Sequence, residues 1–265
     1  MKLEPTGERM IMEHYKSSPE DYVIYLLHVA TYRFAEQFTR GKRVLDFGCG
    51  SGYGSAQIAQ TAAHVTAVDV AEDAIAYARD KFRRDNLEFR AIDPSARLPF
   101  EDASFDTVLS FQVFEHVSDT AHYLSEIRRV LVPQGQLVLV TPDRSTRLLP
   151  LQRPWNRWHL HEYGKHELAD AMSRYFDRVD VLGMTAKPEM IDIELRRCNK
   201  VKWMTLPFTL PIMPDRWRVA ALNAIHRLRG ESARTGEPRE YPFTVDDVRI
   251  AANVAPSVNL VALAS

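Results

Sequence analysis

At 265 residues, with 45% hydrophobic and 26% charged side chains, the chain has the balance of an ordinary globular protein and the length for one sizeable core plus a modest addition. Its 34 basic and 35 acidic residues leave a formal net charge of −1, so no whole-molecule field draws it to phosphate backbones or anionic lipid, and nucleic acid is not expected as a partner. Two cysteines far apart in sequence argue against a disulfide framework, no apolar stretch is long enough to form a transmembrane segment, and the charged segment 1–12 lacks the apolar run of a signal peptide, which together point to a cytoplasmic protein.

Residues 20–38 space Val23, Leu27, Ala30, Phe34 and Phe38 three or four apart, which predicts an amphipathic helix lying against a sheet. Arg43-Val44-Leu45-Asp46-Phe47 reads as a short buried strand, broken by glycines and followed by a helical stretch at 55–60. The alternation continues with strands at 64–68, 87–91, 107–110 and 136–140 and helices at 71–81 and 120–130. Parallel strands need crossovers long enough for a helix, so this order predicts a doubly wound α/β fold with a mostly parallel sheet covered on both faces. A loop rich in Trp, His and Arg occupies 153–166, and a helix at 165–175 and a strand at 179–184 follow. The stretch 187–242 carries Pro207, Pro211 and Pro214, an apolar run at 203–213 and a helix at 216–229, and reads as an inserted lid or pairing element. Residues 257–263 form an apolar strand expected to pair antiparallel at a sheet edge. The resulting plan is an N-terminal lid and helix (1–40), a core (41–186), an inserted lid or dimerisation element that makes a homodimer conceivable (187–256), and a final edge strand (257–265) that brings the sheet to seven strands.

The turn Asp46-Phe47-Gly48-Cys49-Gly50-Ser51-Gly52 lies between a strand and a helix, where glycines let backbone N–H groups approach a polar ligand. The spacing is G-x-G-x-G, and Tyr53 stands where the dinucleotide fingerprint wants its last glycine, so the strict pyrophosphate version fails and a nicotinamide-dependent oxidoreductase is disfavoured. Asp69 follows at the end of the second strand, where a carboxylate can accept hydrogen bonds from both ribose hydroxyls. An adenosine-bearing cofactor is therefore expected.

These pieces, with Ala67-Val68-Asp69-Val70, Leu98-Pro99-Phe100, Ser104-Phe105-Asp106, Phe114-Glu115-His116-Val117 and Leu131-Val132-Pro133-Gln134-Gly135-Gln136, resemble the class I S-adenosylmethionine-dependent methyltransferases. The resemblance spans residues 41–143. It implies S-adenosylmethionine as cofactor, with Asp46, Gly48, Gly50 and Gly52 on the methionine end, Asp69 and Val70 at the ribose, Asp93 at the adenine amino group, and Phe111, Gln112 and His116 beside the cofactor. Asp93-Pro94-Ser95 departs from the family pattern, in which a small residue more often follows the Asp.

In such an enzyme the cofactor's sulfonium already makes the methyl electrophilic, so the protein must align the acceptor and, for a hydroxyl, remove its proton. Histidine suits that task near neutral pH. His161 is the first candidate base, with Glu162 or Asp143 orienting it; His159 is the second, and His166 stands beside them. Asp143 with these histidines could instead hold a divalent ion, but the carboxylates magnesium prefers are sparse and no metal is assigned. Glu4-Pro5-Thr6-Gly7-Glu8-Arg9-Met10 and the loop Pro154-Trp155-Asn156-Arg157-Trp158-His159-Leu160-His161-Glu162-Tyr163 resemble a subgroup found with sugar and polysaccharide biosynthesis. That resemblance implies O-methylation of a saccharide hydroxyl, with exposed Trp stacking on sugar faces. The rival acceptor is a small phenolic or quinone-like metabolite enclosed by the apolar run, and the rival outside catalysis is a cofactor-binding scaffold that supports an active partner.

Overall fold

The computed structural model describes residues 18–230 and 240–265; the segment 4–10 that carries the Thr-Gly-Glu-Arg resemblance, and with it most of the N-terminal lid, lies outside the described residues. Helix α1 (Pro19–Thr39) opens with Ser18 as N-cap, Pro19 in its first turn and Glu20 and Asp21 beside its positive end. It buries Val23, Leu26, Leu27 and Ala35. There follow β1 (Arg43–Phe47), α2 (Tyr53–Ile58), β2 (His64–Asp69), α3 (Glu72–Lys81), β3 (Leu87–Ala91), β4 (Phe105–Phe111), α4 (Thr120–Val130), β5 (Leu131–Pro142), a single-turn helix α5 (Arg144–Arg147), α6 (Lys165–Met172), β6 (Val179–Ala186), α7 (Pro188–Thr209), α8 (Asp215–Gly230), β7 (Val248–Ala251) and β8 (Asn259–Ala264).

All eight strands join one sheet in the order β3-β2-β1-β4-β5-β8-β6-β7. The first five pair parallel, whereas β8 runs antiparallel to both β5 and β6. Two expectations are corrected here. The sheet has eight strands rather than seven, because the short β7 adds itself antiparallel to β6 inside the stretch read as an insert. The strand expected at the edge is internal: Leu260, Val261, Ala262 and Ala264 are buried, and the strand fills the gap that β5 and β6 would otherwise leave open. The helix α7 was not foreseen. Pro188 sits in its first turn, where the missing N–H and fixed φ cost a helix little, whereas Pro207 lies inside its last turn and gives up one i→i−4 hydrogen bond there, two residues before the helix ends.

Successive residues of a strand face opposite sides, and the core divides accordingly. Val44, Leu109 and Val140 pack with α1, α2 and α3 side chains on one face; Leu45, Val108 and Leu139 pack with Leu124, Ile127, Leu168 and Met172 from α4 and α6 on the other. Each such side chain contributes about 1.5–3 kcal/mol by leaving water. The strand order reverses between β1 and β4, and ligands of open α/β sheets bind in the crevice at that switch point, beyond the carboxyl ends of the strands. No helix among the described residues is long and apolar enough to cross a membrane.

Candidate active site

The glycine turn leaves the end of β1 and is fastened to β2, where Gly48 donates to the Val68 carbonyl at 2.8 Å. Gly52 sits at φ +79°, and a Cβ there would meet Ala78 Cβ and the Phe89 ring at 2.7 Å, so both conformation and close packing require glycine. At Gly50 the situation differs: φ is +53° and a Cβ would meet nothing within 4 Å. This part of the turn faces open space with its main chain bare.

Asp69 is held by that turn. Its two oxygens accept from Gly50 N at 2.8 Å and Ala71 N at 2.9 Å, which fixes the carboxylate while leaving acceptor capacity on each oxygen. Val70 beside it is exposed. Asp46 is buried; its Oδ2 accepts from Ser55 Oγ at 2.6 Å and Tyr32 OH at 3.3 Å, and its Oδ1 has no hydrogen-bond partner. Burial pushes this carboxyl up to about 6, against the downward pull of the Ser55 and Tyr32 hydrogen bonds. An unsatisfied buried carboxylate oxygen is costly unless a cationic or hydrogen-bonding ligand completes it. Tyr32 belongs to the buried side of α1, and nothing in its sequence spacing marks it as a site residue. It meets Phe111 edge-on at 4.9 Å, and its ring lies so close to Gly54 that a Cβ there would overlap it.

Gln112 adopts φ +56°, a conformation that non-glycine residues seldom take and that tends to mark functional sites. Its N–H pairs with the Val140 carbonyl at 2.8 Å and its Nε2 donates to Asn259 Oδ1 at 3.2 Å. Asp93 lies exposed after β3, with Oδ1 accepting from Ser95 N and Oγ at 2.9 and 2.7 Å, so Pro94 stands inside a small turn that the carboxylate itself closes.

A second group of side chains gathers after β4 and β5. His159 and Glu162 are buried, and His159 Nδ1 lies 2.8 Å from Glu162 Oε1. Arg147 Nε donates to the other oxygen, Oε2, at 3.0 Å. Burial raises the Glu162 carboxyl, but the Arg147 charge and the His159 hydrogen bond outweigh it and bring it down to about 2. An ionised Glu162 can only accept, so Nδ1 carries the proton and the lone pair of a neutral His159 resides on Nε2. His116, in the 3-10 turn Phe114–His116, has Nδ1 3.0 Å from the Trp158 carbonyl, which assigns its tautomer likewise. The two imidazoles meet edge to face at 4.8 Å. Glu115 is buried and accepts from Thr141 Oγ1 at 3.0 Å. One ligand atom each from Glu115, His116 and His159 lie within 4.8 Å of one another, a donor set able to move a proton or to hold a divalent ion.

The arrangement separates the candidate bases. His161 is exposed on the outside of the loop, with Nε2 2.6 Å from Glu167 Oε1 and its ring against Tyr163, and it does not meet Glu162. The partnership expected for His161 belongs to His159, because 159 and 162 both turn inward while 160 and 161 turn outward. Asp143 orients no histidine; its Oδ1 accepts from Ser145 N at 2.9 Å and caps α5, the turn that delivers Arg147. His166 is exposed at the start of α6. Arg147 went unforeseen, since nothing in Arg144-Ser145-Thr146-Arg147 signals a buried guanidinium. Trp155 donates to the Arg147 carbonyl at 3.1 Å and takes the Arg147 guanidinium on its face at 4.0 Å, so it packs beneath the loop, whereas Trp158 remains about half exposed.

Comparison with known proteins identifies the family. Residues 45–139 match the family model described as Methyltransferase domain. A "Probable S-adenosylmethionine-dependent methyltransferase" of Mycobacterium tuberculosis is 35% identical over 250 residues, covering 93% of this chain and 88% of its own. A ubiquinone biosynthesis O-methyltransferase of Maricaulis maris is 32% identical over 120 residues, covering 44% of this chain and 47% of that one. Among solved structures, an S-adenosylmethionine-dependent methyltransferase from Mesorhizobium loti is similar with a TM-score of 0.54 at 17% identity, covering 90% of this chain and 99% of that one; at such identity the likeness concerns the fold.

Proposed function

As the chain belongs to the S-adenosylmethionine-dependent methyltransferases, we propose that it methylates a saccharide hydroxyl and that His159 takes the hydroxyl proton. When bound, S-adenosylmethionine supplies an electrophilic methyl group on its sulfonium. The residues of the glycine turn fit this cofactor: the unpartnered Asp46 Oδ1 matches an ammonium, Asp69 with its spare lone pairs matches a ribose diol, and the bare main chain at Gly50 admits an amino-acid tail. Gly48 and Gly52 hold the turn, Val70 and Asp93 flank the adenosine end, and Phe111, Gln112 and His116 line the approach from β4.

The observation that carries the catalytic assignment is the buried Arg147–Glu162–His159 series. Glu162 keeps the proton of neutral His159 on Nδ1, so Nε2 is the basic atom; Glu162 also stabilises the imidazolium that forms when Nε2 accepts the proton, and Arg147 keeps Glu162 ionised. An aliphatic hydroxyl is much less acidic than a phenol, whose proton leaves near pH 10, so a base oriented in this way matters most for a sugar. Exposed Trp158, whose carbonyl meets His116, offers an indole face of the kind that stacks on sugar rings.

A second reading, a phenolic or quinol-like hydroxyl, is favoured by the name of the Maricaulis maris relative and by the apolar run at 203–213. The test is an acceptor panel of saccharides and phenols with wild type and His159→Asn, with S-adenosylhomocysteine affinity measured by calorimetry. Turnover on sugars that falls about 100-fold or more in the variant at unchanged affinity supports the proposal. Turnover confined to phenols favours the second reading, and tight cofactor binding without transfer to any acceptor favours a scaffold.

A further inference from the structure

Helix α7 turns a polar stripe inward. Glu194, Cys198, Lys202, Thr205 and Thr209, spaced three or four apart, are all buried along one side of it, where a helix ordinarily presents apolar groups to the core. Replacing buried charges by well-packed apolar side chains is often neutral or stabilising, so stability alone does not account for the stripe. Its partners lie on the segment that carries Arg147. Lys202 Nζ donates to the Thr146 carbonyl at 2.9 Å, next to Arg147 in the chain. The Lys202 carbonyl and Thr209 Oγ1 accept from Nε2 of buried Gln152 at 3.1 and 2.9 Å, and Gln152 Oε1 accepts from Leu149 N at 3.0 Å. Residues 146–152 are thus tied to α7 at both ends.

The charges extend the series that ends at His159. Glu194 accepts from Arg197 Nε at 2.7 Å and Nη2 at 2.6 Å, and the Trp155 ring that carries the Arg147 guanidinium at 4.0 Å has that of Arg197 at 5.8 Å. Burial raises the Glu194 carboxyl, but Arg197 foremost, and Arg147 after it, outweigh burial and hold it low. Negative and positive groups therefore alternate from the loop to the helix, in the order Glu162, Arg147, Glu194, Arg197. We propose that Glu194, Arg197 and Lys202 are positioning residues for methyl transfer, which hold Arg147 against Glu162 and through it keep the His159 imidazole in one tautomer and one place. This gives α7 a part in the reacting machinery. The inference rests on His159 as the base and does not depend on which hydroxyl is methylated.

The test combines kinetics with nitrogen NMR of the imidazoles in the full chain. Lys202→Met removes the ammonium, and Glu194→Gln with Arg197→Met removes the other pair without stranding one of its charges. On whichever acceptor the wild type methylates, each is expected to lower kcat about tenfold or more while KM and S-adenosylhomocysteine affinity stay within about twofold. The same substitutions placed in His159→Asn should cost no further turnover, because no base remains to be positioned. In the NMR spectra the Nδ1–H tautomer of His159 should give way to a mixture in the variants. Should Lys202→Met fail to bind S-adenosylhomocysteine, the pair variant carries the test alone. Unchanged kcat overturns the proposal, as does an equal loss with and without His159, which would mean a general distortion. If His159→Asn itself keeps full turnover, the base assignment falls instead, and the tautomer decides for α7: its retention in the variants overturns the positioning of His159 and its loss upholds it.

Discussion

Glu162→Gln removes one charge from the centre of the buried Arg147–Glu162–His159 series. The carboxyl is held at about 2 against an ordinary 4.5, which corresponds to about 3 kcal/mol of folded-state preference for the ionised form. Glutamine cannot neutralise Arg147, whose side chain is also buried, and one-sided removal of a buried pair costs about 3–5 kcal/mol. Urea denaturation near neutral pH, followed by far-UV circular dichroism, should therefore show a loss of about that size. The sign with pH follows from the lowered value: the stabilisation is present above the unfolded pKa and is lost as pH falls from 4.5 through about 2, so the gap between wild type and variant should close on acidification. Adding Arg147→Met should recover part of the loss, because an apolar replacement of the whole pair removes the uncompensated charge. A Glu162→Gln protein within about 0.5 kcal/mol of wild type would refute the reasoning.

The two histidines should part company in kinetics, with His159→Asn lowering kcat about 100-fold or more and His161→Ala leaving it within about threefold; the reverse order would return the role to His161. For Asp46 the raised value of about 6 means that cofactor affinity, measured calorimetrically with S-adenosylhomocysteine, should be level above that pH and fall about tenfold per unit below it, a dependence that Asp46→Asn removes. The same substitution should raise the stability of the cofactor-free protein near neutral pH. An ionised buried Asp46 disfavours the fold, a raised carboxyl value stabilises only at low pH, and that stabilisation is lost as pH rises through about 6. Gly52→Ala, with φ +79° and contacts at 2.7 Å, should lower Tm by about 5 °C or more and weaken cofactor binding, and an unshifted Tm would contradict the crowding described there.

How far the sequence could be read depended on whether local pattern or distant contact decides the outcome. Val44-Leu45-Asp46-Phe47 with its glycines announces strand, turn and helix within a few residues, and Asp69 closes that site from the next strand. The location of β8 could not be read in the same way, since an apolar strand looks alike at an edge and between two neighbours, and only pairing of Leu182 with Val261 and of Leu139 with Ala262 distinguishes them. Proline content hid α7, because composition says neither that Pro188 opens a helix nor that Pro207 is accommodated inside its last turn. The loop around His159 has no periodicity to say which histidine turns inward. That choice is made by Arg147, fifteen residues before Glu162, which is delivered by a turn that Asp143 caps.

The internal position of β8 also bears on how the protein is made. A nascent chain completes β5 and β6 before β8 exists, yet neither can reach the other without it. At about 5–20 residues per second, translation from the end of β6 to the end of β8 takes roughly 4–16 seconds. Throughout that interval Val138, Leu139 and Val140 present an unpaired apolar margin, the kind of surface that captures other chains. Synthesis of this protein should accordingly be sensitive to chaperone supply, and a pause in translation between β6 and β8 should cost more soluble product than one between β2 and β3.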